Sequence, residues 1–125
     1  MKDISSTEVI TAADAETWQD WLQTHHETAP EIWIAIAKKH TGIASVRPEE
    51  AIEVALCFGW IDSHRLALDE THFLQRYSPR RRGSRWSDIN LATAERLIDS
   101  GRMRPAGLRA LARVRPEVLP ADSGA

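Results

Sequence analysis

The sequence predicts an α+β domain in which a small, mostly antiparallel sheet of about three strands packs with about four helices. Three observations carry that reading. Four segments place apolar residues at helical spacing between recognisable start and stop residues, one short β-branched run is apolar on both faces, and two alternating arms flank Asp69-Glu70. A chain of 125 residues with 42% hydrophobic and 27% charged residues has the composition of one globular domain, which excludes wholesale disorder.

Residues 1–10 read as a loose lead-in without the apolar core of a secretory signal. Thr11 then reads as an N-cap, with Asp14 three residues on completing a capping box. Behind it Ala15, Trp18, Leu22 and His25 recur at helical spacing, with Trp21 widening the stripe, so a helix is expected over about 12–26. Residues 31–38 follow as a strand. Ile32, Ile34 and Ile36 share one face and Trp33, Ala35 and Ala37 the other, which makes the strand central and covered on both sides. Pro48 opens a second helix over about 48–58, because its missing N–H costs nothing in the first turn, and Gly59 stops it. The arms 64–68 and 72–77 form a hairpin, and Pro79 ends the second. Ser87 caps a third helix ended by Gly101, and Pro105 begins a fourth carrying Leu108, Leu111 and Ala112. Pro116 and Pro120 discourage further helix, leaving 116–125 loose and the single domain at 11–115. The element order is α-β-α-β-β-α-α.

Charge is unevenly placed. Residues 1–62 carry 4 Lys/Arg against 11 Asp/Glu, whereas residues 63–125 carry 12 against 7. The densest run holds Arg76, Arg80, Arg81, Arg82 and Arg85 with no acid among them. Arginine's planar fork suits paired contacts to phosphate or carboxylate, and the same groups could instead pair with the acidic first half. A formal net charge of −2 argues against a general nucleic-acid binder. No apolar run approaches the ~18 residues of a membrane span. Cys57, the lone cysteine, has no internal disulfide partner and reads as a small buried hydrophobe, and no Cys/His group has zinc-ligand spacing. The expected compartment is the cytoplasm, with no cofactor and no metal.

Two segments could carry chemistry. In an extended 62–66, Asp62 and His64 would share a face about 7 Å apart at ~3.3 Å per residue, where a carboxylate can orient an imidazole for acid–base work. No nucleophile accompanies them. In residues 77–90 the arginines supply charge, Ser84 and Ser87 supply hydroxyls, a helix start supplies free N–H groups, and Trp86 could stack on a guanidinium or a ligand ring. Asp88 works against an anion there. The five tryptophans, Trp18, Trp21, Trp33, Trp60 and Trp86, fall on stripes and junctions that favour core packing over an aromatic cage.

The ordered set Trp18-x-x-Trp21-Leu22, Glu50-Ala51-x-x-x-Ala55-Leu56-Cys57-Phe58-Gly59-Trp60-Ile61-Asp62, Ser78-Pro79-Arg80-Arg81, Ser84-x-Trp86-Ser87-x-x-Asn90 and Gly101-Arg102-Met103-x-x-Ala106-Gly107 resembles the YdeI/OmpD-associated, or bacteriocin-protection, family of bacterial proteins across about residues 14–112. That resemblance implies a small bacterial protein without a known cofactor, linked to protection against bacteriocins and cationic antimicrobial peptides. Members of that family usually continue with a helical C-terminal segment, where this sequence has Pro116–Ala125 instead. The position-matched residues expected to bind a ligand are Trp60, Asp62, Arg80, Arg81, Ser84, Trp86, Ser87 and Asn90. If the segments after Gly59 and Pro79 lie side by side, they form one polar pocket floored by Trp60 and Trp86. The preferred reading is a non-enzymatic binder of an anionic small molecule or protein partner. The alternatives are an enzyme using Asp62, with His64, as acid–base, and a protein-interaction module driven by the charge asymmetry.

Overall fold

A computed structural model describes residues 8–119. Ile10 and its neighbours form a short strand, β1 (Val9–Thr11), so residues 9 and 10 belong to the sheet and not to a loose lead-in. Thr11 is thereby occupied, and Asp14 takes over as N-cap of α1 (Ala15–His25). Its carboxylate accepts from the Thr17 N–H at 2.9 Å and the Thr17 hydroxyl at 2.7 Å, which holds its pKa below the ordinary carboxylate value. The expected Thr11–Asp14 box is therefore shifted by one turn. Trp18 and Leu22 form the buried stripe of α1, and the Trp18 indole N–H donates to the Ala51 carbonyl at 3.0 Å.

Strand β2 (Ile32–Ala37) is buried at every position, as its doubly apolar pattern predicts. A 3-10 turn over Lys39–Thr41 leads to α2 (Pro48–Cys57), where Glu50 accepts from the Arg47 N–H and Pro48 is the first helical residue. The hairpin is longer than its sequence pattern, with β3 at Trp60–Ala67 and β4 at His72–Pro79. Its turn needs no glycine, because Asp69 Oδ1 accepts from the N–H groups of Thr71 and His72 at 2.9 and 2.8 Å. Two further helices follow, α3 (Asp88–Asp99) and α4 (Pro105–Ala112), and then a 3-10 turn at Pro116–Val118. The expected loose tail beyond Leu119 lies outside the described residues.

The sheet has four strands in the order β1-β2-β4-β3, parallel between β1 and β2 and antiparallel elsewhere. One face carries Ile32, Ile34, Ile36, Phe73 and Tyr77 against Trp18, Leu22, Leu56 and Leu97. Tyr77 packs against Trp18 with ring centroids 5.1 Å apart and planes tilted by 51°, and burial pushes its phenol pKa well up. The opposite face holds a smaller cluster of Trp33, Ala35 and Leu74 with Leu66. Trp18, Trp33 and Trp60 are buried, and Trp21 and Trp86 pack half-buried against the core. Cys57 is buried, and its thiol pKa is raised chiefly by that burial.

Helix α4 sits unusually close to the α2–β3 junction. Gly59 adopts φ 77°, and a Cβ there would lie 2.9 Å from the Ala106 carbonyl oxygen. A Cβ on Gly107 would lie 2.3 Å from the Cys57 carbonyl oxygen, so backbone meets backbone on both sides of the contact. The Arg104 N–H donates to that same Cys57 carbonyl at 3.0 Å.

Candidate functional site

The C-terminal end of β4 is tied to the start of β3, because Trp60 pairs with Pro79 and the Arg80 N–H donates to the Gly59 carbonyl at 2.9 Å. The segments after Gly59 and after Pro79 therefore run side by side. Pro79 stops the strand, and the chain turns through Arg81–Ser84, closed by a Ser84 N–H bond to the Arg81 carbonyl. That turn brings Trp86 back over Arg80. The Arg80 guanidinium carbon lies 3.9 Å from the Trp86 ring centroid. A desolvated stack of this kind contributes about 2 kcal/mol.

Arg80 is the feature that sets this region apart. Only 6% of the residue is exposed. Its Nη2 donates to the Arg85 carbonyl at 2.6 Å, while its buried Nε and Nη1 have no hydrogen-bond partner. Leaving a buried donor unmade costs about 1–3 kcal/mol, and more when the group is charged. Burial pushes the Arg80 pKa down, the nearby Arg113 charge adds to that, and Asp62 partly opposes it. Arg113 reaches across from the end of α4 and donates to the Arg80 carbonyl at 3.2 Å.

Three concavities lie along this region, and Arg80 lines two of them. One of about 180 Å³ lies between the arginine loop and α4 and is lined by Arg80, Arg81, Ser84, Arg85, Trp86 and Arg113, with no acid. A second, of about 270 Å³, lies on the other side of Arg80 and includes Glu27, Trp60, Arg109 and Arg113. A third, of about 440 Å³, lies on the outer side of the hairpin and includes Ser63, Arg76, Arg81, Arg82 and Ser84. Arg76 is committed to the fold, because it pairs with Glu31 and donates to Ser63 at 2.9 Å. The other ion pairs among the described residues join Glu53 to Arg96 and Arg102, and Glu95 to Arg115. None of them engages Arg80, Arg81, Arg82 or Arg85.

The structure thus brings Arg80, Arg81, Ser84 and Trp86 together and places Trp60 on the neighbouring cavity with Arg80. The expected single pocket floored by both Trp60 and Trp86 is divided, since Arg80 stands between the two rings. Trp60 is mainly a core residue, donating to the His26 carbonyl at 3.3 Å and meeting Trp21 edge-on. Asp62, Ser87 and Asn90 line none of these three cavities. Ser87 instead caps α3 by accepting from the Asn90 N–H at 3.1 Å.

Asp62 and His64 do not form the expected shared face. A bulge sets Asp62 opposite Tyr77 but Arg65 opposite Gln75, so Ser63 and His64 together face Arg76 and the alternation breaks between them. Both side chains are exposed, and no hydrogen bond joins them. Sequence reasoning missed Arg109 and Arg113. Their separation of four residues places both on one side of α4, but only the tertiary contact at Gly59 and Gly107 directs that side toward Arg80. Among the described residues, no cluster of three or more His, Cys, Asp or Glu side chains could hold a metal, and no helix is long and apolar enough to cross a membrane.

No curated protein and no solved structure matches this sequence. Residues 10–110, from β1 through most of α4, match one family model, and the chain belongs to that family, a domain of unknown function designated DUF8412.

Proposed function

We propose that this protein is a non-enzymatic binder of an anionic ligand, recognised at Arg80 and the groups around it. The observation that carries this reading is a buried arginine with two unpartnered donors beside an acid-free cavity. A guanidinium kept only for stability would be matched by a carboxylate, as Arg76 is by Glu31. At Arg80 no carboxylate does so, and an oxyanion in the adjoining cavity would supply the negative charge that Arg80, Arg81, Arg85 and Arg113 gather there. In the cell, the reading places the protein in a bacterial cytoplasm, where it contributes to resistance against bacteriocins or cationic antimicrobial peptides. The resemblance of the ordered motifs to those of the YdeI/OmpD-associated family supports that part of it.

The test is thermal unfolding of the full chain with a panel of oxyanions at matched ionic strength. An anion that binds the folded state at ~100 times its dissociation constant adds about 2.7 kcal/mol, a rise of several degrees in melting temperature. The double substitution Arg80→Ala/Arg81→Ala should abolish that rise, and in a sensitive bacterium it should also abolish any protection against a cationic peptide. A panel in which no anion moves the transition overturns the proposal, as does a double variant that responds like the parent.

A further inference from the structure

The proposed anion reading leaves the ligand's chemistry open, and the cavity between the arginine loop and α4 narrows it. We infer that this cavity takes a terminal phosphate, either free orthophosphate or the phosphate of a monoester, with Arg113 of α4 as a binding residue alongside Arg80 and Arg81. The inference rests on the anion-binding reading and deepens it.

Charge balance comes first. Four guanidinium-bearing residues, Arg80, Arg81, Arg85 and Arg113, line about 180 Å³ without one carboxylate. A carboxylate brings a single charge on two oxygens, whereas a phosphate monoester carries about −1.5 to −2 at neutral pH on three acceptor oxygens. The latter balances more of the charge gathered around this cavity. Arg113 spends one N–H on the Arg80 carbonyl, and the remainder of its fork is uncommitted.

Size comes second. Sites that enclose a drug-sized ligand occupy ~300–1,000 Å³, so this cavity holds a compact head group and leaves any larger remainder outside. Ala110 and Val114 make one wall apolar, and the Trp86 ring makes another. Those surfaces suit the carbon portion of an ester next to its phosphate. Ser84, an uncharged polar residue, also lines the cavity.

The experiment measures binding of inorganic phosphate, phenyl phosphate, diphenyl phosphate and benzoate to the full chain by calorimetry at constant ionic strength. Phosphate and phenyl phosphate should bind at least about tenfold more tightly than benzoate or the monoanionic diester, the ratio that one extra charge-assisted contact of about 1.5 kcal/mol produces. Affinity for both should fall as pH is lowered through ~6, where the second phosphate proton returns. Arg113→Ala should cost about tenfold in affinity. Arg82→Ala removes the same charge from a residue that does not line this cavity, and should leave affinity unchanged. Tighter binding of phenyl phosphate than of inorganic phosphate identifies an ester as the source, and equal binding identifies free phosphate. Equal affinity for benzoate, or equal loss in the Arg82 and Arg113 variants, overturns the phosphate assignment while leaving anion binding intact. Binding of none of the four overturns both.

Discussion

Arg80 is held where its positive charge is costly. Its guanidinium gains a stack on Trp86 and one carbonyl, yet two of its nitrogens are desolvated without acceptors. The gains and the penalty are each of order 1–3 kcal/mol and largely offset. Arg80→Met keeps a linear stem against Trp86 and removes the orphaned donors. The expected outcome is an unfolding free energy, from urea titration, within about 1 kcal/mol of the parent together with complete loss of anion-induced stabilisation. A drop of several kcal/mol would instead mark Arg80 as a structural strut. Such a separation of stability from binding is characteristic of residues kept for recognition.

Among the elements, α4 is the one whose placement determines the site. Its Gly107 sits in the first turn of the helix, and alanine is ordinarily the better helix former, by up to about 1 kcal/mol in a helix interior. Here the added methyl would lie 2.3 Å from the Cys57 carbonyl oxygen. Gly107→Ala should therefore destabilise by ~1–3 kcal/mol, measured by urea unfolding, and should weaken anion binding because Arg109 and Arg113 are displaced with the helix. The hairpin turn offers a pH test. The Asp69 carboxyl is held below its ordinary value of 3.8 by the N–H groups of Thr71 and His72 and then by the Thr71 hydroxyl. Its contribution is complete above the unfolded-state value and is lost as pH falls through the lower folded value. Asp69→Asn keeps an acceptor oxygen without the charge, so the stability gap between parent and variant should hold from neutral pH down to the ordinary carboxyl value of 3.8 and narrow as pH falls below it.

The elements differ in how legible they were. Strand β2, α2, α3 and α4 follow directly from Ile32–Ile36, Pro48, Ser87 and Pro105, because apolar period and terminal residues agree there. Strand β1 escapes notice because three edge residues carry no periodicity, and its parallel partner is recognised only once β2 is in place. The bulge after Asp62 leaves no local signal, yet it decides where His64 points along the hairpin.

At the level of the whole molecule, the acidic first half and the arginine-rich second half meet at a few defined pairs. Glu53 of α2 holds Arg96 of α3 and Arg102 beyond it, each at 3.2 Å, and Glu31 holds Arg76. These contacts absorb part of the asymmetry and leave the loop at Arg80–Arg85 outside it. The arginine run itself was visible in the sequence. What it lacked was the opposing wall, because residues about 30 positions apart are brought together only by the packing of α4. Composition could therefore indicate an anion, but not the cavity that measures one.

The Gly59 corner has a dynamic consequence. The Arg80 amide is bonded to the Gly59 carbonyl and the Arg104 amide to the Cys57 carbonyl, two residues earlier on the same short stretch. Deuterium should enter the Arg104 amide when α4 opens from the α2–β3 junction, whereas the Arg80 amide also requires the hairpin base to part. A molecule lodged against the guanidinium groups would slow that exchange at Arg104 as well, protecting an amide it never touches.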